Sequence, residues 1–310
     1  MELSIMLMQQ IGSLFIMMGI GFILVRKKIC KKDDSKLLST LLLYVAAPCA
    51  IIKSFQIERT ETKMQGLLLA VIAAIIVHII FISMSYVLGR TLRFNAIEKA
   101  CIIYSNCGNL IIPLVTIMLG PEMTFYTSGY MIVQNNLMWT HCKYIISEES
   151  TFNIRKILFS FNIIAIIIGL VIFYFQISVP IVISSAVSSL TNLMGPLSMI
   201  VVGMLLSNID LKEVFSKKRA YLVSGLRLII LPAIVLFIFI VLDLSSFVSN
   251  GKEILLVSLL AASAPSASTV TNFAQLYNNK PEDASIINAM SVLLCIITMP
   301  TIMMLYSYII

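Results

Sequence analysis

Apolar stretches of about 20 residues, enough for a helix to cross roughly 30 Å of hydrocarbon, recur along the whole of this 310-residue chain. Ten are predicted, over 5–25, 36–54, 66–89, 97–120, 123–142, 157–175, 184–206, 219–241, 253–277 and 283–308. The fold class expected is an all-α polytopic membrane protein of ten transmembrane helices. Composition agrees: with 59% hydrophobic and 12% charged residues, such a chain would precipitate as a soluble globule.

The fourth and ninth stretches are each interrupted by a polar patch. In the fourth it is Ser105-Asn106-Cys107-Gly108-Asn109, followed by Pro113. In the ninth it is Ser263-Ala264-Pro265-Ser266-Ala267-Ser268-Thr269, followed by Thr271 and Asn272. Breaking a helix inside hydrocarbon strands backbone N–H and C=O groups, which is tolerated only where the break is buried in protein or lines a water-filled site. Two such breaks at corresponding positions of two halves point to a transport site near the membrane midplane.

Basic residues set the orientation. Of the 22 Lys and Arg, 17 fall in one alternating set of loops: 26–36, 90–99, 143–156, 212–219 and Lys280. The opposite set holds only Lys53, Arg59, Lys63 and Lys252, and Arg227 lies inside a stretch. The first set is therefore expected on the cytoplasmic side of the plasma membrane, with both termini outside. Anionic lipid facing these residues accounts for the net charge of +7 without nucleic acid. Met1–Gln10 has no basic n-region, so the first helix is expected to be retained.

Two halves follow: residues 1–142 as a first five-helix repeat, a cytoplasmic linker over 143–156, and residues 157–310 as a second repeat. An odd number of spans per half inserts the second half inverted. Gly120-Pro121-Glu122 and Lys280-Pro281-Glu282 follow the two broken stretches alike, and Pro48 in span two matches Pro196 in span seven. These prolines are expected to act as packing kinks.

The run Tyr104-Ser105-Asn106-Cys107-Gly108-Asn109-Leu110-Ile111-Ile112-Pro113-Leu114-Val115 resembles the fourth-span signature of the auxin efflux carrier family, which includes bacterial malate and malonate permeases. Ala264-Pro265-Ser266-Ala267 and Asn272-Phe273-Ala274-Gln275-Leu276-Tyr277 resemble its ninth-span signature, and Thr298-Met299-Pro300 its last span. The resemblance covers the full chain. It implies that broken helices four and nine cross, with a small carboxylate such as malate held beside them in an elevator-type mechanism. It also implies a scaffold of spans one, two, six and seven, through which a homodimer would form.

The residues reach a compatible reading separately. A half-helix starting inside the membrane presents free N–H groups and a partial positive charge to an anion. Asn106 and Asn109 share a helical face as amide donors, Gly108 admits close backbone approach, and Pro113 ends the regular ladder. In the second half Pro265, Ser266, Ser268, Thr269 and Asn272 fill the same roles, or else serve helix packing. Two ionisable residues inside spans bear on coupling or counter-charge. His78 is either a neutral imidazole bonded to a neighbouring helix or a proton-coupling group. Arg227 pairs with an acid, snorkels to the surface, or balances an anion. Glu98, Asp243 and Glu253 are read as interfacial.

No phosphate-cradling loop, His-Glu-x-x-His or Gly-x-Ser-x-Gly motif is present, and the six cysteines have no metal-type spacing. An enzyme, a cofactor and a metal are not expected. Two readings stand beside the permease: a sodium-coupled symporter of the bile-acid type, and a membrane receptor that binds without flux.

Overall fold

The computed structural model describes residues 2–56, 58–111, 114–115, 119–147, 161–207 and 211–309. Among them the chain is helical throughout, and its sole β contact is an isolated antiparallel bridge between Ser105 and Ser266. In chain order the first half contributes α1 (Glu2–Arg26), α2 (Ser35–Leu41), α3 (Ala47–Ser54), α4 (Glu61–Leu92), α5 (Ala96–Ile103), α6 (Pro121–Leu137) and α7 (Lys143–Ser147). The second contributes α8 (Phe161–Phe175), α9 (Ile181–Asn192), α10 (Met194–Leu206), α11 (Leu211–Ser216), α12 (Lys218–Gly225), α13 (Leu231–Val241), α14 (Gly251–Ser263), α15 (Ser268–Leu276) and α16 (Pro281–Ile309). The expected linker begins as helix α7, and residues 148–156 lie outside the described residues.

Among the described residues, five stretches are long and apolar enough to cross a membrane: Lys32–Lys53, Lys63–Leu92, Ile181–Leu206, Lys218–Val241 and Pro281–Ile309. On α4, Leu68, Ile72, Ile75 and Ile79 are exposed along one helical stripe, while Ala70, Ala73, Ala74, Val77 and Phe81 are fully buried on another. Large apolar side chains outward and small ones inward is the pattern of helices packed in lipid, where close approach and not water exclusion drives association.

Close approach is tightest between α1 and α10. A Cβ at Gly21 would collide with the carbonyl of Ile200, and one at Gly203 with the carbonyl of Met18. The two backbones therefore touch without side chains between them. Around this pair, α3 packs against α8 and α9. The remaining long helices form a second group, with α4 against α6 and α14, and α16 against α12, α14 and α15.

Prolines explain two irregular turns. A proline ring clashes with the carbonyl four residues before it, and a wide π-type turn relieves that clash. Leu42–Ala46 widens ahead of Pro48, and Leu226–Ile230 widens ahead of Pro232. The second of these turns carries Arg227.

Ion pairs tie helix ends together at the basic loops, two of them, Lys32–Glu282 and Arg219–Glu98, across the two halves. Lys32 pairs with Glu282, and Lys217 with Asp283 at 2.6 Å. Arg219 grips Glu98 with both arms, at 2.5 and 2.6 Å, and donates to the carbonyls of Leu92 and Arg93 at the end of α4. Glu98 is thus no loose interfacial group as expected: it is buried, and it closes a capping box with Asn95 at the start of α5. Removing the arginine leaves the buried carboxylate with only its Asn95 N–H donor and turns two carbonyls over to water, whereas Glu98→Gln keeps a capping acceptor. Arg219→Ala should therefore destabilise by about 2–3 kcal/mol and Glu98→Gln by roughly 1 kcal/mol. Thermal unfolding in detergent should also show the double variant losing less than the sum.

Candidate functional site

Helix α5 stops at Ile103 and α14 at Ser263, and the chain beyond each is extended, with Tyr104 at φ −98°, ψ 129° and Ala264 at φ −65°, ψ 154°. The two extended segments cross and bond to each other. Asn106 N–H donates to the Pro265 carbonyl at 2.8 Å, and Ala267 N–H to the Tyr104 carbonyl at 2.9 Å. Each break thus supplies the hydrogen-bond partners the other lost when its helix stopped, which answers the demand that backbone be satisfied inside a membrane.

The remaining groups are met by side chains, in matching fashion on the two sides. Gln134 of α6 accepts from the N–H of Ser105 at 3.0 Å and donates to its carbonyl at 2.8 Å. On the other side Ser291 of α16 accepts from the N–H of Ser266 at 3.0 Å, and Asn288 donates to its carbonyl at 2.7 Å. The Ser266 hydroxyl donates to the Cys101 carbonyl at 2.9 Å.

Arg227 completes the set. It is fully buried, and its guanidinium donates to the carbonyls of Ile102 at 2.9 Å, Ile103 at 3.2 Å and Ala264 at 3.2 Å. These are the end carbonyls of both α5 and α14, the negative poles of two helices. The planar fork of arginine suits such multiple acceptors better than lysine. Phe81 lies against the cation at 4.8 Å. The snorkelling and acid-pairing readings are thereby corrected: the side chain points inward and donates to backbone oxygens of both breaks.

The other expected site residues divide. Asn106 is buried with its Nδ2 lacking a hydrogen-bond partner, so an amide donor remains to be used at the crossing. A Cβ on Gly108 would meet only the end of the Met131 side chain at 3.7 Å, so space is open there. Pro265, Ser266 and Ser268 are buried at the second break, with Thr269 half-buried in the first turn of α15. Asn272 faces elsewhere: its amide bonds Ser39 of α2 and Ser198 of α10, both at 3.3 Å. The backbone of Asn109 falls in the wide turn Cys107–Ile111, while its side chain and the whole of Pro113 lie outside the described residues.

His78 is fully enclosed, as its central position in span three suggests. Its Nδ1 bonds the carbonyl of Ala74 at 2.7 Å, one turn back on its own helix instead of on a neighbouring one. A carbonyl only accepts, so Nδ1 carries the hydrogen. Nε2 has no hydrogen-bond partner, and the ring lies 5.1 Å from that of Tyr130. His141 sits between two tyrosines: Nδ1 is 2.8 Å from the Tyr104 hydroxyl and Nε2 3.1 Å from that of Tyr86. Sequence reasoning did not single out Gln134, Asn288, Ser291 or the Tyr104–His141 contact. The only signal was polar residues within the apolar runs on either side of each break.

The apolar helices are those of a multi-pass membrane protein. The chain belongs to the membrane transport protein family, the auxin efflux carrier family that its motifs resemble: that family's model matches residues 6–151 and 146–303. It is a family of transporters and not of enzymes. No curated protein matches the chain.

Truncating Gln134 strands a buried N–H and a buried carbonyl together, whereas truncating Ser291 frees one N–H. Gln134→Ala should destabilise the protein by roughly 2–4 kcal/mol and Ser291→Ala by about 1–2 kcal/mol. Thermal midpoints in detergent, compared at matched expression, check that order.

Proposed function

We propose that the protein is a secondary or passive carrier of small organic anions across the plasma membrane, held at the crossing of the two broken helices. Malate or a related small carboxylate is the first substrate to test. One observation carries the reading: the interior charge is positive and unbalanced. Among the described residues the buried formal charges are Glu98 and Arg227; Glu98 is matched by Arg219, while Arg227 is matched only by carbonyls. A cation would be repelled from such a site and an anion drawn to it. The unpartnered amide of Asn106 and the N-terminus of α15, with Ser268 and Thr269 in its first turn, supply donors beside that charge.

A ten-span arrangement of two inverted repeats, 1–142 and 157–310 joined by 143–156, is supported by how the halves mirror each other. Span five holds the first break through Gln134 as span ten holds the second through Asn288 and Ser291. Helix α1 packs on α10 as α8 packs on α3, so span one meets seven as span six meets two. Those four spans would form the scaffold of an elevator-type carrier, with both termini outside and a homodimer built through them. Asn272, bonded to Ser39 and Ser198, would sit on the boundary between scaffold and moving unit. The sodium-coupled alternative would need oxygens at the breaks, and three of those carbonyls already accept from Arg227.

The test is uptake of labelled malate, malonate, lactate and an aromatic carboxylate into proteoliposomes, with sodium, pH gradient and voltage varied separately. Saturable uptake is expected. Asn106→Ala and Asn109→Ala should lower it about 10- to 100-fold, the worth of one hydrogen bond to a charged group, with insertion unchanged. Ordinary flux from both variants would remove the asparagines from the site. No flux of any anion by folded protein would sink the carrier reading in favour of a receptor.

A further inference from the structure

Arg227 cannot move independently of the crossing. Its Nε and Nη1 hold the carbonyls that end α5 and α14, Phe81 covers it, and Nη2 has no hydrogen-bond partner. Among the described residues no carboxylate lies within ion-pair distance of it. The positive charge is therefore fixed at the depth of the two breaks. Whichever part of the protein moves during transport, an anion held at the breaks and this guanidinium cross nearly the same part of the membrane field.

We propose that Arg227 is a built-in counter-charge of the translocated unit, an inference that rests on the anion-carrier reading. Loaded with a monoanion, the unit moves no net charge; empty, it moves one positive charge; with a dianion, it moves one negative charge. Over a full cycle the arginine returns to where it began, so the net current equals the charge of the substrate. Only the separate steps reveal the counter-charge. Voltage acts on the empty return when the substrate is a monocarboxylate, and on both steps, in the same sense around the uptake cycle, when it is a dicarboxylate.

Homoexchange with saturating substrate on both faces samples the loaded step alone, and net uptake into empty vesicles adds the empty return. Both are measured in proteoliposomes at potassium diffusion potentials of about −100 and +100 mV, with lactate and with malate held fully ionised. One charge crossing the whole field shifts populations by about 50-fold per 100 mV, so a partial crossing gives several-fold effects. Lactate exchange should change by less than about twofold across this range, while malate exchange and net lactate uptake change several-fold. Arg227→Gln should make lactate exchange voltage-dependent, and Arg227→Lys should keep it flat. A purely structural arginine would lower rates in Arg227→Gln without altering voltage dependence, which overturns the proposal. So does wild-type lactate exchange as steep as malate exchange, or flat malate exchange. These wild-type comparisons decide the matter even where Arg227→Gln does not fold. Absence of exchange for every anion overturns the carrier reading itself and this inference with it.

Discussion

Everything in this structure depends on how unpaired backbone is satisfied where two helices stop inside a membrane. Each orphaned group there would cost several kcal/mol if left in hydrocarbon. The chain meets the demand with three devices at once: a reciprocal pair of backbone bonds between the breaks, one polar side chain or pair from the helix that follows each break, and a single buried guanidinium on the end carbonyls of both. Removing any one leaves the others holding a partly unsatisfied network, which is worse than having none.

The guanidinium also sets the electrostatic character of the interior. A lone buried cation is normally forbidding, because charge in low dielectric must be paired or strongly hydrogen-bonded. Here the poles of α5 and α14 act as its counter-ion, each presenting about half a negative charge. They stabilise the cation locally, but each is one end of a dipole with no net charge, so the unit charge of the arginine remains; the positive pole of α15 begins two residues beyond the bridge at Ser266. Positive and negative helix poles thus lie on either side of one short crossing, with the arginine on the negative set.

Much of this was legible in the residues. The breaks at Ser105–Asn109 and Ser263–Thr269 announce themselves because proline and clustered polar side chains are intolerable in a lipid-facing helix, and the structure breaks both helices there. The role of Arg227 was not legible. A single arginine in an apolar run looks the same whether it reaches for the surface or for carbonyls, since backbone acceptors carry no sequence signature. Glu98 misled for a related reason: its partner Arg219 stands 121 residues away, and only the fold brings them together. Gln134, Asn288 and Ser291 were hidden because an isolated polar residue in a membrane helix is as often a packing contact as a ligand of backbone. Asn272 was read as part of the site, one turn on from Ser268, and its amide bonds Ser39 of α2 and Ser198 of α10, partners far away in sequence that only the fold brings near.

The reciprocal bonding has a consequence for how the protein is made. The partners that complete the first break, Pro265, Ala267 and Arg227, come from residues synthesised more than a hundred positions later. When residues 96–106 leave the ribosome, the groups at the end of α5 therefore have none of these partners yet, and the break is completed only after residues 227–267 have been made. The crossing is accordingly a late step of folding.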